Sequence, residues 1–166
     1  TTCFHRDGSA SHQHGDSPAL THCLAHHHSS SSHRNTHPDA FVAAVEEACQ
    51  VAHKLDCRKM CVVAGNNQKG MTKEQMHAQC IKALKRAAKV AEREKVMLIL
   101  EPMNGRVDHP GHCLYGSEDA VKICRAVDSP MVKINWDLYH MQIAEGDLCG
   151  RLKEGFDQCG YLQLAE

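Results

Sequence analysis

Two acidic residues close two apolar runs. VMLIL leads into Glu101 and Pro102, and MVKINW leads into Asp137, with His140 three positions further on in NWDLYHMQIAEGDL. The acids stand 36 residues apart, about one βα repeat. Like charges brought together at the ends of buried strands cost energy unless a cation sits between them. Hard oxygen donors of this kind suit magnesium or manganese. The plainer alternative is that each acid caps the helix that follows or accepts from a loop amide. Spacing alone leaves both open.

Positioning such residues requires strands that deliver them to one rim. Pro38 and Asp39 suit a helix start, and Phe41, Val42, Val45, Cys49, Ala52 and Leu55 follow at helical spacing. RKMCVVAG reads as a short strand closed by Gly65, and NNQKGM as a loop. Thr72 reads as an N-cap with Glu74 or Gln75 near the capping-box position. A long helix then runs to about Glu94 with Met76, Cys80, Ile81, Leu84, Ala87, Ala88 and Ala91 on one face. After VMLIL comes the loop NGRVDHPGHCLYG; Ser117 is the expected cap of a helix carrying Ala120, Val121, Cys124 and Val127. The strand MVKINW, a loop, a helix from about Asp147 to Asp157 and a last strand YLQLA complete the order α-β-α-β-α-β-α-β. The strands are apolar almost throughout, which implies burial on both faces and a parallel sheet. An open doubly wound sheet and a (β/α)8 barrel remain, and in both the functional rim is at the C-terminal strand ends. No G-x-G-x-x-G follows a strand, so the dinucleotide-binding form of the open sheet loses support.

Residues 1–37 have another texture. They hold nine of the fourteen histidines and the runs HHH and SSSS, without apolar periodicity. Such a segment is expected to be disordered. Its histidines could take up nickel, copper or zinc opportunistically, though a solvated tail without a role is the simpler reading.

Composition excludes several functions. The net charge is −1 with histidines neutral, and no aromatic residues interleave with the basic ones, so neither nucleic acid nor an anionic membrane is an expected partner. No apolar run approaches the roughly 18 residues of a membrane helix, and no secretory h-region is present. The chain begins with Thr rather than Met, which suggests a processed or incomplete chain. Ten cysteines show no CxxC pair. Cys49, Cys57, Cys61, Cys80, Cys124 and Cys149 fall in periodic segments, where buried thiols of a reducing compartment, the cytoplasm, are expected.

LILEPMN, NWDLYHMQIAEGDL and GYLQLAE together resemble the hydroxypyruvate isomerase branch of the sugar-phosphate isomerase/epimerase superfamily. These are xylose-isomerase-like TIM barrels with relatives among the ketose 3-epimerases. The resemblance runs roughly from Phe41 to Glu166 and is densest from Leu98 to Leu148. It implies that Glu101 is a ligand of a divalent metal (magnesium or manganese) and also an acid/base. It implies Asp137 and Gln163 as further ligands, and His140 as a contact to substrate oxygens. Alternation puts Tyr161, Gln163 and Ala165 on one face and Glu166 on the other, whereas strand-end position by itself would select Glu166. The implied substrate is a small α-hydroxy-carbonyl compound, hydroxypyruvate or a ketose, whose enediolate the metal stabilises while a carboxylate moves the proton. Arg106 and His109 are candidates to hold a substrate carboxylate or phosphate, against the alternative of an ordinary solvated loop.

The resemblance also sets an expectation of extent. Residues 38–166 correspond to about strands 4 to 7 of the barrel with their helices, an incomplete α/β (β/α)8 unit after the His/Ser-rich tail. The family's second catalytic glutamate, on the last barrel strand within Gly-Arg-x-Glu-Pro-Gly, has no counterpart up to Glu166. Tyr161 stands where relatives often carry histidine. A fragment of an isomerase, a non-catalytic module that acts only by pairing with another chain, and an endonuclease-type relative on the same barrel are the three readings. The near-neutral charge and the absence of extra His and Asp ligands on the strands count against the last. A homo-oligomer is a separate partner expectation.

Overall fold

The computed structural model describes residues 40–164; the His/Ser-rich segment 1–37, the expected helix start at Pro38 and Asp39, and Ala165 and Glu166 lie outside the described residues. Helix α1 (Ala40–Lys54) leads to β1 (Lys59–Val63), and α2 (Lys73–Glu94) to β2 (Met97–Glu101). Helix α3 (Ser117–Val127) leads to β3 (Val132–Asp137). Two short helices, α4 (Leu138–Ala144) and α5 (Leu148–Gly155), and a 3-10 turn (Phe156–Gln158) precede β4 (Cys159–Gln163). The sheet order is β1-β2-β3-β4 and every pair is parallel. The parallel sheet is the one expected from the apolar strands, although β3 (VKINWD) alternates, and the α/β pattern is that of the partial TIM barrel the resemblance implies.

The two faces of the sheet divide the work. Leu98, Leu100, Val132, Ile134 and Trp136 point to the helices and are fully buried. The alternate positions, Glu101, Asn135 and Asp137 among them, fall on the concave face. The sheet curls enough that Lys59 on β1 donates through Nζ to the Gly160 carbonyl on β4 at 2.7 Å, with the two middle strands between them. Between Ile134 and Asn135 the register to β4 shifts: Ile134 pairs with Cys159, but Asn135 pairs with Tyr161. The extra residue is Gly160, where a Cβ would lie 2.6 Å from Lys133 Cβ. This bulge brings Gln163 beside Asp137; an unbroken ladder would have put Leu162 there.

Helix ends carry the main differences from the sequence reading. The capping box forms as expected: Gln75 N donates to Thr72 Oγ1, and Thr72 N donates to Gln75 Oε1. Ser117, expected to cap α3, does not; the N-cap is Gly116, and the Ser117 amide donates to Glu145 Oε1 at 3.0 Å from a distant loop. An acid remote in sequence therefore does the capping, which local spacing cannot reveal. Gly116 has φ 79°, and a Cβ there would stand 3.0 Å from Glu145 Oε2. Gly116→Ala is expected to cost about 1–3 kcal/mol through left-handed strain and loss of this cap, read as a lower urea midpoint.

Helix α4 occupies residues that read as a loop, because two turns are too short for a periodic signal. The helix expected to reach Asp157 ends at Gly155 and continues as a 3-10 turn. Leu55 falls past the end of α1 and is 55% exposed, so it is not a core residue. Cys49, Cys80 and Cys124 are buried as expected, but Cys61 and Cys149 are exposed and Cys57 is half-buried. Burial pushes the Cys80 and Cys124 thiols up to about 12, which leaves them unreactive at neutral pH. No described helix is long and apolar enough to cross a membrane.

Candidate active site

Glu101 and Asp137 end β2 and β3, and both are buried, at 9% and 3% exposure. His140 lies one turn into α4 and is 8% exposed. One ligand atom from each of the three lies within 4.8 Å of the others. His140 Nε2 stands 3.9 Å from Glu101 Oε1, too far for a direct hydrogen bond. The other Glu101 oxygen, Oε2, accepts from the Cys61 thiol at 2.9 Å.

Asp137 does two things. Its Oδ1 accepts from the Tyr139 amide at 2.9 Å and so caps α4. The capping alternative considered from the sequence is therefore true for this acid, and it orients the carboxylate. The helix that Asp137 starts then carries His140 back toward Glu101. Gln163 is level with Asp137 on β4, and its Oε1 accepts from Asn135 Nδ2 at 3.1 Å. The Asn135 Oδ1 is buried without a partner among the described residues.

His140 is tied down from behind by a network that sequence reasoning did not find. Asn104, fully buried, follows Glu101 by three residues. Its side-chain Oδ1 accepts from the amides of Val107 and Asp108 at 3.1 and 3.2 Å. Its Nδ2 donates to Asp108 Oδ2 at 2.7 Å and to His140 Nδ1 at 2.8 Å. Tyr139 donates through its hydroxyl to the same Asp108 oxygen at 2.8 Å. These bonds, from Asn104 first and Tyr139 second, hold the Asp108 carboxyl below the usual carboxylate range, and the Asp108 contact raises the Tyr139 phenol. The motif EPMN contained the clue, but an Asn in a Gly- and Pro-rich loop reads as turn chemistry until its burial is known.

Of the two loop residues singled out from the sequence, His109 meets the site. Its ring is edge-on to His140 at 5.3 Å and to His112 at 6.4 Å. Arg106 is exposed and shares no hydrogen bond or ion pair with the acids or His140 among the described residues.

Buried, closely spaced oxygen donors at the C-terminal ends of adjacent parallel strands suit a hard divalent cation. The sequence profile of the xylose isomerase-like TIM barrel family matches residues 9–166. The chain belongs to this family. Among members of known name, it is 34% identical over 128 residues to the hydroxypyruvate isomerase of Escherichia coli (strain K12), which covers 77% of this chain and 49% of that protein. It is 30% identical over 125 residues to the 2-oxo-tetronate isomerase of Cupriavidus necator, covering 75% of this chain and 48% of that one. The chain thus spans about half the length of the curated relatives it matches. A solved structure, an AP endonuclease, family 2, from Brucella melitensis, superposes with TM-score 0.66 at 26% identity, over 74% of this chain and 47% of that one. These relatives make the chain a homologue of sugar and keto-acid isomerases on a TIM-barrel frame.

Proposed function

We propose that this chain serves an aldose/ketose-type isomerisation of a small α-hydroxy-carbonyl compound, with hydroxypyruvate to tartronate semialdehyde as the reaction of first choice. The observation that carries the reading is the convergence of buried Glu101 and Asp137 with His140 at one rim. Glu101, Asp137 and Gln163 are the residues assigned to hold a divalent ion, magnesium or manganese. The ion, when bound, supplies Lewis-acid stabilisation of negative charge developing on the substrate's two oxygens.

The protein's own steps follow from position. Glu101 takes the proton from the hydroxyl-bearing carbon beside the carbonyl and delivers a solvent-exchangeable proton to the former carbonyl carbon, while the hydroxyl proton passes to the other oxygen, which exchanges the carbonyl and hydroxyl positions. The Cys61 thiol engages one of its oxygens, leaving the Oε1 edge toward His140 to face the substrate. His140 supplies a hydrogen bond to a substrate oxygen as charge builds there. His109, whose ring is edge-on to His140, is the residue we assign to a substrate carboxylate.

The test is incubation of the purified chain and manganese with hydroxypyruvate, and in parallel with a ketose, in deuterated water, followed by NMR. Tartronate semialdehyde with deuterium at the reacting carbon is expected. Solvent exchange into a ketose with inversion at its third carbon, and none of the aldehyde, would move the assignment to 3-epimerisation. No turnover of either substrate would contradict an isomerase role for this chain.

A second expectation separates capping from metal binding at Asp137. Asp137→Asn keeps an oxygen for the Tyr139 amide, so the melting temperature without metal should stay within a degree or two of the parent, roughly the effect of a few tenths of a kcal/mol. Manganese affinity measured by calorimetry should fall by about tenfold or more, because an amide oxygen replaces a charged ligand.

A further inference from the structure

We infer that Asn104 is a positioning residue that holds His140 in its Nε2–H tautomer, which makes the imidazole a hydrogen-bond donor into the site and keeps it from being a metal ligand. This rests on the isomerase reading for its consequence, but the geometry stands on its own. The orientation of the Asn104 amide is over-determined. Two backbone amides, of Val107 and Asp108, can only donate, so the atom they meet is the oxygen. The carboxylate of Asp108 can only accept, so the atom it meets is the NH2 group. The second hydrogen of that NH2 is the one aimed at His140 Nδ1, at 2.8 Å. The Asn104 backbone amide also points at Nδ1, at 3.5 Å. Two donors converge on one ring nitrogen, which must then carry a lone pair. A neutral imidazole has one N–H, so it sits on Nε2, on the side of Glu101.

The consequence is a division of labour within the triad. A nitrogen bearing hydrogen cannot bind a cation, so Nε2 is set to donate to a substrate oxygen and the carboxylates are left as the ligands. Asp108 and the Tyr139 hydroxyl serve the same end, because they fix the amide that fixes the ring. The ring packs between Tyr139 and His109, each with centroids 5.3 Å away, so its plane is held as well as its tautomer.

The experiment is nitrogen NMR of the full chain labelled at the histidine rings, at alkaline pH, with the His140 signals identified by their loss in His140→Asn. The parent should show a protonated Nε2 and an unprotonated Nδ1. Asn104→Asp replaces the NH2 with an acceptor and should reverse the pattern, with protonated Nδ1. Manganese affinity should be unchanged within about twofold in His140→Asn but fall about tenfold or more in Asp137→Asn. A protonated Nδ1 in the parent, or a tautomer that does not respond to Asn104→Asp in a folded variant, would overturn the inference. If Asn104→Asp fails to fold by circular dichroism, the parent spectrum together with the two manganese titrations decides. Absence of isomerase turnover beside the expected spectra would remove the proposed reaction and leave the tautomer assignment standing.

Discussion

Glu101→Gln should lower isomerase turnover by about 10²–10⁴-fold, the range for removal of a positioned acid/base, while the fold survives. Glutamine fills the same volume at the end of β2, and its amide can still meet the Cys61 sulfur from which Glu101 Oε2 accepts. What it cannot do is take a proton from carbon, or bring a negative charge to the cation. The loss should therefore appear in kcat as well as in metal affinity, and saturating manganese should restore only the second. Steady-state kinetics over a manganese series separates them. A variant that regains full turnover at high manganese would show that Glu101 is only a ligand and that another group moves the proton.

The largest stability effect is expected one residue before the other acid. Trp136 is fully buried on the helix-facing side of β3. It packs so closely on α5 that a Cβ on Gly155 would lie 2.8 Å from the edge of its ring. Trp136→Ala should cost about 3–5 kcal/mol, the usual range for emptying an aromatic site in a core. Against the 5–15 kcal/mol that typically holds a domain together, that leaves little or no folded protein. Trp136→Phe should cost far less than its lost volume suggests. The indole Nε1 is buried without a partner among the described residues, so its removal relieves a desolvation penalty of about 1–3 kcal/mol. Urea unfolding of the two variants would give the comparison. The effect matters for the site because the next residue at the same strand end is Asp137.

Much of the frame was legible in the residues. The apolar runs around Ile99 and Ile134 announce buried parallel strands, and Thr72 with Gln75 announces the start of the long helix. Glu101 and Asp137 were readable as rim residues because strand ends share a rim, which follows from topology, whereas His140 joined them only through the family resemblance. What stayed hidden depends on contacts between distant segments. Glu145 caps the helix at Ser117, a partnership across 28 residues that no local window contains. Asn104 acts on His140 across 36 residues, and its burial inside a loop runs against the composition around it. Helix α4 escaped notice because seven residues give no period, though Asp137 was already in place as its cap. Cys61 was expected inside and lies exposed, because it sits on the concave side of β1, which has one strand neighbour among the described residues.

The proposed function stands on Glu101 and Asp137 holding one divalent cation between them. The direct test is the thermal melt of the purified chain with and without manganese, beside the Glu101→Ala, Asp137→Ala double variant, which controls for metal taken up by the His-rich segment. A ligand at a hundred times its dissociation constant stabilises the folded state by about 2.7 kcal/mol, enough to move a melt by several degrees. A cooperative melt raised by manganese in the parent and not in the double variant is expected. An equal shift in both, or none in the parent, would contradict it.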